Sequence, residues 1–373
     1  MESERICAQK EITDLLLGRK NLSVDSIDRI PLAHDGQKHR DELYDLLLEL
    51  RSDSIDINVD KDDYTFILRS GFIQATLRIQ VTDNGKLDRL LVKPKVPHIQ
   101  SMSDFISAAE NLDASVGVSA LSEKTDNCIV HSDLPLAVSS LVKVVVASII
   151  LGQIEEKQVE LSQLYTISES DISILSAGLS AKNIGSSVTV KELLMLMLLF
   201  SDNSAMDILV KLGGENLQKS FKSMKGIPST KKFDASLGIE TTKNVYGAAW
   251  GIPSDGTDEE MREKSRTEVR WVDGLDYFIP LETINSAAYS LVHSSIYKEL
   301  FDSRQDFFKG GSAPGVISAL IASPGEDRSR PIISLAFNRA SSFSLVEETY
   351  ALSCVRKLFE SEGYQLTEAN INN

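Results

Sequence analysis

Pro135-Leu136-Ala137-Val138-Ser139-Ser140-Leu141-Val142-Lys143-Val144-Val145-Val146-Ala147 is an almost wholly apolar run, broken by two serines and one lysine. The apolar character continues through Ile149, Ile150 and Leu151, a length that predicts a buried helix. Ser140 stands near its start, and serine is a natural N-cap, so ordinary helix chemistry accounts for part of the signal. It does not account for Lys143, which lies one helical turn after Ser140, so that the two side chains share a face. Burial in an apolar helix desolvates a lysine and lowers its pKa. Such a lysine beside a serine hydroxyl is the chemistry of a serine nucleophile with a lysine base. The competing reading is a capped core helix whose lysine snorkels to solvent.

Ser-x-x-Lys occurs three times, at Ser140/Lys143, Ser229/Lys232 and Ser295/Lys298. The second lies in a polar Ser/Thr/Lys cluster and the third in an ordinary amphipathic segment. Only the first sets its lysine in an apolar helix.

With 373 residues the chain has room for two or more domains, and its composition is that of a soluble globular protein. A net charge of −15 argues against nucleic acid and anionic membranes as partners, since both are bound by basic patches. The beginning, Met1-Glu2-Ser3-Glu4-Arg5-Ile6-Cys7, does not read as a signal peptide, and no apolar run reaches the length of a membrane span. Cys7, Cys128 and Cys354 lie far apart and imply no disulfide framework. A cytoplasmic protein is expected. His34, His39, His98, His131 and His293 are scattered without ligand spacing, so neither a metal nor an organic cofactor is expected.

Residues 1–52 read as helical, with Ile12, Leu15, Leu16 and then Leu43, Leu46, Leu47, Leu50 at helical spacing. From Asp53 the period becomes that of strands: Ile55–Val59, Tyr64–Leu68 and Phe72–Val81, then a hairpin turn at Asp83-Asn84-Gly85 and a return strand Leu87–Val92. Pro94 and Pro97 mark a boundary, giving a small α+β domain over 1–97 and a second domain over 98–373. In the second, Ser103–Leu112 predicts a helix. Ala114–Leu121 and Cys128–His131 predict a strand pair around a turn at Glu123–Asn127. Helices are expected from the opening stretch through Gln163, then a Ser/Gly-rich loop over 168–187 and a second apolar helix, Thr189–Leu199. Residues 222–278 read as irregular, too long for a passive loop. Asp306–Lys309, Val316–Ala322 and Ile332–Phe337 predict strands, and Leu345–Phe359 a closing helix.

Three motifs fall in order: Ser140-Leu-Val-Lys143, Ser201-Asp202-Asn203, 61 residues after Ser140, and Lys309-Gly310-Gly311, 108 residues after Ser201. Together they resemble the Ser-x-x-Lys, Ser-Asp-Asn and Lys-Thr-Gly signature of class A β-lactamases and penicillin-binding proteins. Residues 189–214 also resemble the helix, loop and helix of that family. The small first domain and the wording Lys-Gly-Gly-Ser-x-Pro-Gly are closest to the β-lactamase-like proteins of the clavulanic-acid-biosynthesis type, in which an isomerase- or cystatin-like domain precedes the serine-hydrolase domain. The resemblance implies a mixed α/β (α+β) chain. A β-lactamase-like fold, with an antiparallel sheet built from both ends of the domain, flanking helices and an inserted helical lobe, follows a small α+β domain of the cystatin or ketosteroid-isomerase kind.

Carried over residue by residue, the resemblance makes Ser140 the acylated nucleophile and Lys143 its proton acceptor. Ser201 would pass a proton to the leaving group, and Asn203 would bond Lys143 and a substrate amide. Lys309 would hold Ser201 and attract a substrate carboxylate. The backbone N–H groups of Ser140 and Ser312 would stabilise the oxyanion, beside Gly310 and Gly311. Each residue also has an ordinary structural reading: Ser201-Asp202-Asn203 as a helix C-terminus with capping side chains, Lys309 as an exposed strand lysine. The sequence departs from the family twice. Gly310 removes the threonine hydroxyl that would bind a carboxylate, which Ser312 partly replaces. The deacylating Glu-x-x-Leu-Asn loop has only Glu240-Thr-Thr-Lys-Asn244 as a partial match, with Glu268 beside Trp271 as another acid. The implied activity is a serine hydrolase or acyltransferase acting through an acyl-serine on a small β-lactam-like, ester or amide molecule, slow with penicillins. The alternatives are a true β-lactamase, and a catalytically slow binding or scaffold protein that keeps the fold.

Overall fold

A computed structural model describes residues 2–34, 36–52, 54–60, 65–122, 128–130, 136–173, 175–224, 226–230, 234–250, 267–301, 305–324 and 330–366. The chain divides into two compact units, Met1–Asp113 with Phe343–Leu358, and Ala114–Ser342 with Phe359–Asn373.

The first unit opens with helices α1 (Glu2–Leu16), α2 (Val24–Asp28) and α3 (Gln37–Leu50). Leu43, Leu47 and Leu50 on α3 and Ile12, Leu15 and Leu16 on α1 are buried, the stripes that the helical period predicts. Strands β1 (Asp56–Val59), β2 (Thr65–Ser70), β3 (Ile73–Val81) and β4 (Leu87–Pro94) follow as an antiparallel meander in sequence order. Ile73, Ala75, Leu77 and Ile79 alternate inward on β3, which α1 contacts. The β3–β4 turn closes through Gly85, whose φ of +80° suits glycine. Helix α4 (Met102–Ala109) belongs to this unit, as does all but the last turn of the closing helix, Leu345–Ser361.

The second unit is built on an antiparallel sheet of order β6-β5-β11-β10-β9, comprising β5 (Ser115–Leu121), β6 (Cys128–Val130), β9 (Phe307–Ala313), β10 (Val316–Ala322) and β11 (Ile332–Asn338). The predicted turn Glu123–Asn127 and His131 lie outside the described residues. Every residue of β10 and β11 is buried, as in a strand covered on both faces. Between β5 and β9 runs a helical insertion: α5 (Val142–Glu155), α6 (Val190–Leu199), α7 (Asn203–Ser223), α8 (Thr242–Trp250), α9 (Leu281–His293) and α10 (Ser295–Leu300). The closing helix is α11. Helix α5 is rich in β-branched residues, which are weak helix formers. Its helicity comes from burial: Val142, Val144, Val145, Val146, Ala147, Ile150 and Leu151 all lie in one core with α6, α7 and α9.

Two expectations are corrected. The helical reading through Gln163 overruns: α5 stops at Glu155, Lys157 takes a left-handed φ of +60°, and Leu164–Thr166 (β7) pairs with Ser187–Thr189 (β8). The stretch read as irregular over 222–278 contains α8, whose first turn is held by a buried carboxylate far away in sequence, Asp207.

Candidate active site

Ser140 sits in a single 3-10 turn, Ser139–Leu141, that leads into α5. The turn is tied down from three sides. Ala137 bridges Phe278 and exchanges two hydrogen bonds with the Asn338 amide, while Val138 N–H donates to Tyr277 O at 2.8 Å. Ser318 Oγ donates to Val138 O at 2.7 Å. Ser139 has a left-handed φ of +46°, and its N–H donates to the buried Asp276 carboxylate at 3.0 Å, as does Tyr277 N–H at 2.6 Å. Burial pushes the Asp276 carboxyl up to about 7, against those two bonds. Ser139 Oγ donates to Ser312 O at 3.0 Å, so the turn is also laced to β9. Ser140 Oγ makes no capping bond, and α5 has no side-chain cap.

Lys143, on the first turn of α5, is 1% exposed. Its Nζ lies 2.5 Å from Ser201 O, 2.7 Å from Asn203 Oδ1, 3.0 Å from Ser201 Oγ and 3.1 Å from Ser140 Oγ. Burial lowers its pKa from 10.5 to about 7, and the nearby carboxylates of Asp202 and Asp207 oppose the fall. The neutral amine has two hydrogens and one lone pair. Two of its four neighbours, Ser201 O and Asn203 Oδ1, only accept, so they take the hydrogens. The lone pair is then left for a hydroxyl, that of Ser140 or Ser201.

The loop between α6 and α7 delivers the other partners. Ser201 has a φ of +55°, and Asp202 caps α7 by accepting from Ala205 N–H at 2.7 Å. The middle residue of Ser-Asp-Asn is thus a cap, at the N-terminus of α7 rather than at a helix C-terminus, while both flanking residues turn to Lys143. From β9, Lys309 donates to Ser201 Oγ at 2.9 Å and to Gly310 O at 2.7 Å. It is buried, and desolvation together with the charge on Lys143 holds its pKa well below the usual lysine range. Ser201 Oγ thus accepts from Lys309 and lies 3.0 Å from the Lys143 amine, so its own proton is free for that lone pair or for a third atom. Gly311 is needed for space: a β-carbon there would lie 2.6 Å from Ser318 Oγ and 2.9 Å from Ser140 N.

A cavity of about 200 Å³ opens in front of Ser140. Ser139, Ser140, Ser201, Asn203 and Ser312 supply its polar wall; Leu175, Ala177, Phe200, Tyr246, Ala313 and Pro314 supply the rest. Glu240 and Glu268 are not on this wall. The Glu240 carboxylate accepts from Asn244 Nδ2 at 2.8 Å, and Glu268 pairs with Arg270 at 2.5 Å. Among the described residues no three His, Cys, Asp or Glu side chains gather to hold a metal ion, and no helix is long and apolar enough to cross a membrane.

Sequence reasoning missed Ser139, Asp276, Tyr246 and Asn338. Asp276 carried a usable signal, an ionisable residue inside the apolar run Leu275–Ile279, the same kind that singled out Lys143. The others had none, because their roles arise from contacts distant in sequence.

Residues 98–255 match the family described as the Beta-lactamase enzyme family. A β-lactamase from Chitinophaga pinensis has a similar structure, at 15% identity and a TM-score of 0.50, over 69% of this chain and 98% of that one. The fold is β-lactamase-like. A β-lactamase from Sphaerobacter thermophilus, at 15% identity and a TM-score of 0.45, covers 72% of this chain and 98% of its own. A class A β-lactamase from Mycobacterium abscessus, at 17% identity and a TM-score of 0.42, covers 70% and 98%. No curated protein matches the chain in sequence. In β-lactamase-like terms, the helical insertion is the lobe carrying Ser140, Lys143, Ser201 and Asn203, and the sheet edge β9 brings Lys309 to them.

Proposed function

We propose that the chain is a serine hydrolase or acyltransferase that works through an acyl-Ser140 intermediate on a small β-lactam-like, ester or amide substrate. The observation that carries this reading is the Lys143 amine. It lies 3.1 Å from Ser140 Oγ, with both its hydrogens claimed by acceptors that cannot donate. Ser140 Oγ attacks the acyl carbon while its proton passes to the Lys143 lone pair. The C–N or C–O bond then breaks, and the leaving atom takes a proton through Ser201, which Lys143 reprotonates. The N–H groups of Ser140 and Ser312 face the developing oxyanion. Where the acyl group leaves room beside the lysine, water or an acceptor alcohol, deprotonated by it, releases the acyl group.

Penicillin turnover is slow in this reading, because neither Glu240 nor Glu268 stands where it would activate water. A positioned general base contributes about 10²–10⁴-fold. The same observation favours the second reading, a slow binding or scaffold protein, over a true β-lactamase. We read residues 98–373 as the acylating domain, and the helices and meander of residues 1–97 as an isomerase- or cystatin-like domain, in a cytoplasmic protein. Intact-protein mass spectrometry after exposure to β-lactams and activated esters tests the proposal. One acyl group per chain is expected on wild type and none on Ser140→Ala; labelling that persists in Ser140→Ala rejects it.

A further inference from the structure

The cavity before Ser140 has an uncharged wall among the described residues. Its apolar side is Leu175, Ala177, Phe200, Ala313, Pro314 and the ring of Tyr246, and Phe200, at the cavity, is 53% exposed. The two lysines stand behind this wall. Lys143 Nζ is bound to Ser201 O and Asn203 Oδ1, and Lys309 Nζ is turned back onto Gly310 O and Ser201 Oγ. Neither lines the cavity, and both are at most 2% exposed.

The two glycines after Lys309 differ in what they allow. Gly311 is fixed by space, as shown above. At Gly310 a β-carbon would meet only the Phe308 ring, at 3.6 and 3.8 Å, which is ordinary van der Waals contact. Packing therefore leaves room for a side chain at 310, and the absence of a hydroxyl there is not imposed by the fold. The chain's charge of −15 further disfavours the approach of anions.

We infer that the acyl donor is uncharged: a small neutral ester or amide with an apolar acyl group, for which a carboxylate is no recognition handle. This rests on the acyl-Ser140 reading and names its substrate class. The bare Gly310 and the inward-turned Lys309 are the features that set this selectivity.

The test compares the acylation rates of benzylpenicillin and its methyl ester by time-resolved intact-protein mass spectrometry. Each rate is divided by that compound's rate of alkaline hydrolysis to remove intrinsic reactivity. The ester is expected to acylate wild type at least as fast as the free acid. A free acid that acylates more than about tenfold faster, the discrimination of one good hydrogen bond, overturns the inference while leaving acyl-Ser140 in place. Gly310→Thr is expected to move the ratio about tenfold toward the acid, and an unmoved ratio removes Gly310 as its cause. If neither compound, nor any small neutral ester, modifies Ser140, the acyl-serine reading itself fails and this inference with it.

Discussion

Lys143→Met is expected to give an inactive but more stable protein, with a gain that depends on pH. The lysine titrates at 10.5 in the unfolded chain and at about 7 in the fold. A difference of this size corresponds to about 5 kcal/mol, at about 1.36 kcal/mol per unit. The sign follows from proton counting. Between about pH 7 and 10.5 the unfolded chain holds the proton and the folded one does not, so stability rises with pH across that window. Below pH 7 the wild type carries the whole penalty. Methionine removes the penalty but leaves Ser201 O short of a donor, a loss of about 1–3 kcal/mol, while Asn203, on the cavity wall, can turn to water. The variant should therefore be about 2–4 kcal/mol more stable at pH 6, and the gap should shrink by about 3 kcal/mol by pH 9.5. Both tryptophans, Trp250 and Trp271, belong to the second unit, so their fluorescence during denaturant unfolding reports on it. A gap that does not change with pH, or a variant less stable at both pH values, would refute the assignment of a depressed lysine.

The rate of Ser140 acylation should rise with pH, reach half its maximum near 7 and level off above about 8, because it follows the neutral fraction of Lys143. Stopped-flow with a chromogenic ester reads this directly, and a rate that falls across that range would exclude the lysine as base. Glu240→Gln and Glu268→Gln should leave the rate of acyl release unchanged, since both carboxylates are engaged elsewhere. A large fall in either variant, measured by decay of the adduct, would show that this acid reaches the acyl group.

The sheet and the core helices were legible because their signals are local. The run Val142–Leu151 announces a buried helix, alternation marks β3, and Asp83-Asn84-Gly85 marks its turn. What was not legible is held together by distant partners. Helix α8 starts where Thr242 and Lys243 N–H meet the Asp207 carboxylate, and nothing in residues 242–250 announces that contact. The short strands β7 and β8 flank a Ser/Gly-rich stretch, and three residues in each strand leave no periodicity to read. At the site, the ordered motifs named Ser140, Lys143, Ser201, Asn203 and Lys309, and the fold brings these five together. Of the deacylation candidates, Glu240 came from spacing and Glu268 only from its place beside Trp271, and their side chains have other partners.

Ser-Asp-Asn divides its work, and that division makes Asp202 a test of the electrostatics. Its side chain is wholly buried and accepts from Ala205 N–H, from Gly178 N–H at 2.6 Å and from Leu179 N–H at 2.8 Å. These bonds fix the turn that throws Ser201 O and Asn203 Oδ1 onto Lys143. The charge of Asp202 also favours the Lys143 ammonium and is the largest influence opposing burial there. Asp202→Asn removes that charge while keeping the shape. Its amide can still accept from one side, but its NH₂ faces donors on the other, so a loss of about 1–3 kcal/mol is expected. The informative readout is the pH profile. With the negative charge gone, the ammonium is less favoured, so the half-point of acylation should move below that of wild type. A purely structural Asp202 would lower the rate at every pH and leave the half-point alone. A half-point that stays or rises in folded Asp202→Asn would mean that Asp202 shapes the turn without tuning the lysine.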